Sequence, residues 1–160
     1  MDADEAVAVV RSLESAGIRY VVSGGWGIDA LLGRQTRHHA DIDIGVDVAR
    51  LEDALGVLGE RGYRLTLDQR PARLELRAPR RRTVDLHPIT WDAAGNGRQR
   101  GLGDEAFDYP AGAIADGRIA GEPVTCISAA LQRNFHSTGA LRPRDRADLR
   151  ALDELGSANS

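Results

Sequence analysis

The sequence contains one cysteine, Cys126, and no lysine, so all 21 residues in its Lys+Arg count are arginines. A single cysteine cannot form an internal disulfide and belongs to no metal-ligand cluster, so we expect it to pack in the core. No apolar run reaches the ~20 residues needed to cross a bilayer, and the acidic start does not resemble a secretory signal. These absences predict a cytoplasmic protein without a membrane segment.

A strong excess of positive charge is also missing. The net charge is -3, which argues against bulk attraction to nucleic acid. The chain of 160 residues fits one domain, and we expect residues 1–160 to form it, with a short helical part over about 128–155.

Hydrophobic spacing predicts a mixture of helices and strands. Helical spacing covers 5–16, 26–33, 48–62, 129–136 and Pro143 to about Leu155. Strand-like segments are 18–22, 40–46, 63–67, 73–77, 83–89 and a hairpin over 117–126. The Gly-rich, polar residues 92–103 predict a mobile loop.

Two aspartates stand one residue apart in the alternating segment ADIDIGV. On a strand, Asp41 and Asp43 project from the same face at about 6.6 Å along the backbone. At about 4 Å and an effective dielectric near 20, two such charges repel by roughly 4 kcal/mol. A hard cation such as Mg²⁺, or an arginine, is therefore expected beside them.

A hairpin places further acids on this face. If residue 77 pairs with 83 across APRRR, Glu75 and Asp85 lie side by side with Cβ atoms about 5 Å apart. Asp85 then completes a triad of acids, and Glu75 is its neighbour. His87 shares the face of Asp85 and either contacts an acceptor or orients Asp85.

A glycine turn precedes the acids. Gly24 and Gly25 lie between a strand and a helix, where backbone N–H groups can approach a triphosphate closely. Arg37 and His39 then offer donors for phosphate oxygens. Within the turn, Trp26 either lines the site or packs in the core, and Asp29 either holds the turn or contacts the nucleotide.

Three motifs, G-G-W-G-x-D, R-x-H-x-D-I-D and V-D-L-H-P-I, resemble those of the antibiotic nucleotidyltransferases, and most of all the short lincosamide O-nucleotidyltransferases. The resemblance continues through RPARLEL (70–76), VTCIS (124–128) and NFHS (134–137). It implies an α+β fold of the polymerase-β palm-like type, with a mixed sheet flanked by helices.

The resemblance also implies chemistry: transfer of a nucleoside monophosphate, AMP from ATP or another NTP, to a drug hydroxyl, with release of pyrophosphate. It places two Mg²⁺ ions on Asp41, Asp43 and Asp85, with Asp85 or Glu75 as general base. It assigns triphosphate contacts to Gly24, Gly25, Arg37 and His39. It further suggests a homodimer.

Three other functions are compatible with the same sequence features. An aminoglycoside O-nucleotidyltransferase would need an acidic cleft for its polycationic substrate. A nucleotidyltransferase toxin acting on tRNA would use the arginine cluster of residues 70–82 for docking. A nucleotide-binding scaffold would keep the fold without turnover.

Overall fold

The computed structural model describes residues 1–137 and 143–157. Its helices are α1 (Ala3–Ser15), α2 (Gly24–Leu32), α3 (Leu51–Glu60), α4 (Ala129–Ser137) and α5 (Pro143–Ser157). Its strands are β1 (Tyr20–Ser23), β2 (Asp41–Asp47), β3 (Arg64–Gln69), β4 (Arg73–Ala78), β5 (Arg82–Trp91), β6 (Gly97–Arg100), β7 (Ala106–Tyr109), β8 (Ile114–Ile119) and β9 (Glu122–Ile127). This is the predicted α+β arrangement of a mixed sheet flanked by helices.

The strands form one sheet in the order β3-β4-β5-β2-β1-β9-β8, and β6 and β7 extend it from β5. Strand β2 runs parallel to β5, and β1 runs parallel to β9, whereas the other described neighbours are antiparallel. Because β2 lies between β1 and β5, its acids have the glycine turn on one side and the hairpin strand on the other.

The period-two pattern of β2 divides its side chains between two faces. Ile42, Ile44 and Val46 are fully buried in the main apolar core, against residues of α1 and α3. Asp41 and Asp43 point from the opposite face and are partly exposed. The alternation of acid and apolar residues therefore fixes which face of the sheet carries the charges.

The predicted hairpin register is confirmed. Arg77 pairs with Thr83, and Glu75 pairs with Asp85, across the antiparallel strands β4 and β5. The second predicted hairpin is formed by β8 and β9. The glycine that ends the short helix is also confirmed, since Gly33 caps α2 in the left-handed conformation with φ of 67°.

The expectation of a mobile loop over 92–103 is wrong for part of this segment. Residues 97–100 form β6, which pairs with the end of β5 and with β7. Gly97 and Gln99 are buried, whereas Arg98 and Arg100 are exposed. The segment alternates like a strand, but its inward residues are glycine and glutamine, so no apolar pattern marks it. Strand β7 is not predicted either.

The helices differ from prediction mainly at their ends. A 3-10 turn over Val48–Arg50 precedes α3, because the Asp47 side chain accepts a hydrogen bond from the Ala49 N–H. Ser128 caps α4 as predicted, with its Oγ accepting from Leu131 N at 3.3 Å. Helices α4 and α5 lie in the region of the predicted helical part, while residues 138–142 and 158–160 lie outside the described residues.

Cys126 packs in the core as predicted. It is fully buried on β9, and burial raises the pKa of its thiol to about 12. None of the helices within the described ranges combines the length and apolar character that a membrane span needs.

Candidate active site

A row of polar side chains crosses four neighbouring strands. Ser23 at the end of β1 pairs with Asp43 on β2, Asp43 pairs with Asp85 on β5, and Asp85 pairs with Glu75 on β4. Register partners project from the same face of a sheet, so these side chains form one continuous strip. The structure thus brings together two of the three predicted metal ligands and both candidates for the general base.

Asp85 is the most buried acid of this row, with 8% of its surface exposed. Burial raises the pKa of its carboxyl to about 6, and the charge of Asp43 adds to the effect, while Arg73 opposes it. Its Oδ1 accepts no hydrogen bond from the described residues, although Arg73 Nη2 lies 3.5 Å away. A carboxylate in this state can accept a proton from a nearby hydroxyl group at neutral pH.

Glu75 is held differently. The Thr66 hydroxyl donates to its Oε1 at 2.7 Å, and Arg77 Nε lies 2.8 Å from the same oxygen. These contacts hold the pKa of Glu75 below its usual range, with the Thr66 hydrogen bond as the largest cause. The carboxylate is therefore occupied by its own neighbours on β3 and β4.

The glycine turn lies directly against the acids. Gly24 has φ of +61°, and a Cβ placed on it would lie 2.2 Å from Asp43 Oδ2. A Cβ on Gly25 would lie 2.4 Å from His39 Nδ1 and 2.7 Å from Arg37 Nη2. Only glycine allows this approach, so the start of α2 lies directly against Asp43.

His39 and Trp26 are placed in the interior. Each is 2% exposed, and their rings lie 4.6 Å apart between centroids. His39 Nε2 lies 2.5 Å from Asp29 Oδ2, and the Thr36 hydroxyl donates to Asp29 Oδ1 at 2.6 Å. Asp29 thus holds the segment that leads into β2, and neither ring lines the open face on which a ligand contact was predicted.

Arg37 is bound by an aspartate of α5. Its Nε and Nη2 donate to the two carboxylate oxygens of Asp148 at 2.9 and 2.8 Å, and its Nη1 donates to the His38 carbonyl at 3.2 Å. Asp148 is 3% exposed, and His136 Nε2 on α4 lies 3.6 Å from it. Although burial alone would raise the pKa of Asp148, the nearby His136 ring and the hydrogen bonds from Arg37 hold it well below its usual range.

Sequence reasoning did not find Asp148 as a site residue, because its helix lies more than a hundred residues after the glycine turn. The sequence signal that could reveal Asp148 is an acid at an inward-facing position of a helix that is otherwise polar. His136 falls within the NFHS motif, but the motif does not reveal which residue it contacts.

His87 begins a chain of polar contacts that leads away from the acids. Its Nε2 lies 3.3 Å from Asp43 Oδ1, and its Nδ1 lies 3.2 Å from Gln99 Nε2. The Tyr109 hydroxyl donates to Gln99 Oε1 at 2.6 Å. The sequence predicts that His87 contacts an acceptor or orients Asp85, whereas the contact that the structure shows is with Asp43, the register partner of Asp85. Gln99 and Tyr109 lie on the strands that were not predicted.

A pocket opens beside this chain and next to the acid row. It has a volume of about 170 Å³ and is lined by Ser23, His87, Gln99, Phe107, Tyr109 and Phe135. The rings of Phe135 and Tyr109 meet edge to face at 5.3 Å between centroids, and those of Phe107 and Phe135 at 5.8 Å. Aromatic walls with a few polar groups are typical of small-molecule sites.

Asp41, Asp43 and Asp85 share one face, but they do not converge fully. Asp41 pairs with Thr83, one row along the strands from the Asp43–Asp85 pair. Within residues 1–137 and 143–157, no three His, Cys, Asp or Glu side chains are arranged to hold a metal ion. Hard oxygens and the orphaned Asp85 Oδ1 suit Mg²⁺, which commonly uses one or two carboxylates and takes its other ligands from phosphates and water.

Comparisons with known proteins give the same fold and a consistent family. A lincosamide resistance protein of Staphylococcus haemolyticus is 28% identical over 151 residues, covering 94% of each chain. A 2''-aminoglycoside nucleotidyltransferase of Escherichia coli is 31% identical, covering 80% of this chain and 70% of that protein. The crystal structure of the lincosamide antibiotic adenylyltransferase LnuA with bound lincomycin superposes with a TM-score of 0.85 at 28% identity, covering 94% of this chain and 95% of that one.

The family assignment rests on a match along almost the whole chain. The profile of the aminoglycoside-2''-adenylyltransferase family matches residues 5–152. This range includes the glycine turn, the acid row and Asp148, which binds Arg37. The nucleotidyltransferase fold is thereby shown, and the chain belongs to the aminoglycoside-2''-adenylyltransferase family.

Proposed function

We propose that this protein transfers a nucleoside monophosphate, AMP from ATP, to a hydroxyl group of a lincosamide-type antibiotic. The observation that carries the proposal is the Asp43–Asp85 pair, in register on parallel strands with the backbone of Gly24 in contact with Asp43. A carboxylate pair beside a glycine turn offers a base for the acceptor and donors for a triphosphate within one small area.

Asp85 is the general base in this proposal. Its raised pKa of about 6 leaves it ionised at neutral pH and basic enough to take the proton of the attacking hydroxyl. Glu75 is excluded from this role by its contacts with Thr66 and Arg77, which lower its pKa and occupy Oε1. The proton therefore moves from the acceptor to Asp85, and the acceptor oxygen attacks the α-phosphorus.

The triphosphate lies along the glycine turn. Backbone N–H groups at the start of α2 donate to its oxygens, and Arg37, fixed by Asp148, places a guanidinium next to Gly25. Asp41 and Asp43 would hold Mg²⁺, which when bound supplies positive charge to the reacting phosphates, while Asp85 stays available as the base. The number of ions proposed is two. Pyrophosphate leaves along the turn.

The pocket beside His87 receives an apolar part of the drug, because its volume of about 170 Å³ is below the roughly 300–1,000 Å³ of a site for a whole drug. Phe107, Tyr109 and Phe135 give it aromatic walls, and these suit an acceptor with apolar parts. A polycationic aminoglycoside would instead favour an acceptor pocket lined by several acids whose charges are not neutralised by nearby cations. The high coverage of the lincosamide relatives supports the same choice.

An aminoglycoside acceptor is the second candidate. The matching family profile and the relative of Escherichia coli at 31% identity carry this alternative. It uses the same base and the same triphosphate site, so only the acceptor pocket distinguishes the two functions.

The proposed enzyme is a cytoplasmic homodimer in which residues 1–160 form a single domain. Sedimentation of the purified chain tests the dimer. A homodimer requires a sedimentation coefficient above that of a 17.2 kDa monomer.

The test uses the purified protein with MgCl₂, each of the four NTPs in turn, and either lincomycin or tobramycin. Mass spectrometry of the drug and an assay for pyrophosphate detect the products. Lincomycin that gains one nucleoside monophosphate, with a loss of at least about 100-fold in the D85N variant, supports the proposal. Transfer to tobramycin alone selects the second candidate, and no transfer with any NTP overturns both.

A further inference from the structure

A chain of hydrogen-bonded side chains connects strand β7 to the acid row. The Tyr109 hydroxyl contacts Gln99 at 2.6 Å, Gln99 contacts His87 at 3.2 Å, and His87 contacts Asp43 at 3.3 Å. Tyr109 is 2% exposed and Gln99 is 8% exposed. Buried polar groups are costly unless they are paired, so this chain has one arrangement that satisfies all of its members.

The orientation of the Gln99 amide is determined by its neighbours. Gln99 Nε2 lies 3.5 Å from the carbonyl oxygen of Ala72, which can only accept a hydrogen bond. The Tyr109 hydroxyl donates to Gln99 Oε1. The reversed amide would set its oxygen against the Ala72 oxygen, so Nε2 is the atom that faces both Ala72 and His87.

The amide orientation in turn determines the tautomer of His87. Gln99 Nε2 has no lone pair to offer, so His87 Nδ1 must accept its hydrogen bond and carry no proton. In the neutral ring the proton is then on Nε2, which donates to Asp43 Oδ1 at 3.3 Å. Each hydrogen bond of the chain therefore points toward the acid row.

We propose that Gln99 is a positioning residue, which sets the tautomer of His87 so that His87 orients the carboxylate of Asp43. His87 is thereby removed as a general base, because Gln99 occupies the lone pair of Nδ1 and Nε2 carries the proton. Strand β6 contributes to the site by placing the Gln99 amide next to His87. The effect on turnover rests on the proposed function, whereas the tautomer of His87 does not.

The direct test is ¹⁵N NMR of the full chain labelled at histidine, without metal and at about pH 8. The His87 signals are assigned by their loss in H87Q. We expect a protonated Nε2 and an unprotonated Nδ1 in the native protein. In Q99E, a carboxylate faces Nδ1 and accepts, so we expect a proton on Nδ1.

The matched control is R98L, on the exposed face of the same strand, which should leave the His87 signals unchanged. Circular dichroism checks that each variant folds. If Q99E does not fold, Y109F replaces it, since this variant removes the hydroxyl that orients Gln99 and keeps the ring. A proton on Nδ1 in the native protein, or a native tautomer in every folded Gln99 and Tyr109 variant, overturns the inference.

A second readout concerns turnover. Groups that orient a metal ligand change affinity or activity by about 10–100-fold when they are altered, so we expect Q99E to lose transfer by that factor and R98L to change it by less than about twofold. If the native protein transfers no nucleotide, the proposed function fails, but the NMR result still decides the tautomer. Native turnover in Q99E, once Nδ1 has gained a proton there, overturns the role of Gln99 in positioning.

Discussion

Asp43 and Asp85 lie directly opposite each other on the parallel strands β2 and β5, and the backbone of Gly24 contacts Asp43 from the side of β1. Burial of Asp85 penalises its ionised form, and repulsion from Asp43 adds to this cost. The site therefore destabilises the sheet in the absence of a cation. The acids that the proposed reaction needs therefore lower the stability of the metal-free protein.

We expect D85N to abolish transfer and to stabilise the metal-free protein. The folded-state pKa of Asp85 is about 6, above the ordinary value of 3.8, so folding favours its protonated form. The cost of ionisation is absent below 3.8, grows as the pH rises through 6, and reaches about 3 kcal/mol at about 1.36 kcal/mol per pKa unit. In urea unfolding with EDTA at about pH 8, the free energy of unfolding of D85N should exceed that of the native protein by up to that amount.

The same experiment near pH 3.5 supplies the control, because Asp85 is then protonated and resembles asparagine. A gain that is equal at both pH values would contradict the raised pKa.

The second prediction concerns the glycine turn. We expect G24A to abolish transfer and to lower the free energy of unfolding by about 1–3 kcal/mol, because φ is +61° and the added Cβ would meet Asp43 Oδ2. The matched control is G17A, where φ is +66° but no described atom lies within 4 Å of the added Cβ. It should lose stability while keeping transfer, which chemical denaturation and drug modification assays can measure. Equal loss of transfer in both variants would exclude the contact with Asp43 as the cause.

The third prediction concerns the ion pair between Arg37 and Asp148. Removing the charge of Asp148 releases the guanidinium from its place beside Gly25, so we expect D148N to raise KM for ATP by roughly 10-fold and to change kcat less. Steady-state kinetics with varied ATP measures this. In the double variant R37Q/D148N the effects should not add, because both remove the same contact.

The control for this pair is R34Q, which removes the exposed contact of Arg34 with Glu154 between the same segment and the same helix. It should leave KM for ATP near the native value, since exposed ion pairs contribute little. A similar rise in R34Q would mean that docking of α5, rather than Arg37, controls ATP binding.

The fourth prediction concerns the pH dependence of stability through His136. The Asp148 carboxylate, 3.6 Å from its Nε2, raises the pKa of the ring above 6.5. A pKa that is raised on folding stabilises the protein below 6.5, and this stabilisation is lost as the pH rises through the folded-state value. The stability advantage of the native protein over H136N should therefore shrink on passing from about pH 6 to pH 9.

Urea unfolding of the native protein, H136N and D148N across this range checks the fourth prediction. The dependence should be much weaker when H136N/D148N is compared with D148N alone, because the largest cause of the raised pKa is gone while Gln132 and Asp145 remain. An advantage that grows with pH would contradict the contact between His136 and Asp148.

The sequence predicts the central part of the site because local patterns determine it. The alternation of β2 puts Asp41 and Asp43 on one face, and the pairing of residues 77 and 83 sets Glu75 beside Asp85. Both conclusions need only strand periodicity and a hairpin register. Gly24 has a positive φ, and a glycine between a strand and a helix can adopt this conformation without steric cost.

The supporting residues could not be predicted in the same way. Gln99 is a polar residue on the buried face of a strand, so its segment has the composition of a loop. Asp148 meets Arg37 only because α5 docks near the glycine turn, which is a tertiary contact without a local signal. Burial of His39 depends likewise on Asp29 and Trp26, which surround it in the folded protein.

The parallel pairing of β2 with β5 also determines when the site can form. Two parallel strands cannot be joined by a tight turn, and here α3 and the strands β3 and β4 intervene in the chain. The acids meet only after this intervening segment has folded, and such non-local contacts form slowly. During refolding, enzymatic activity should therefore return in the last kinetic phase, later than the helical signal in circular dichroism.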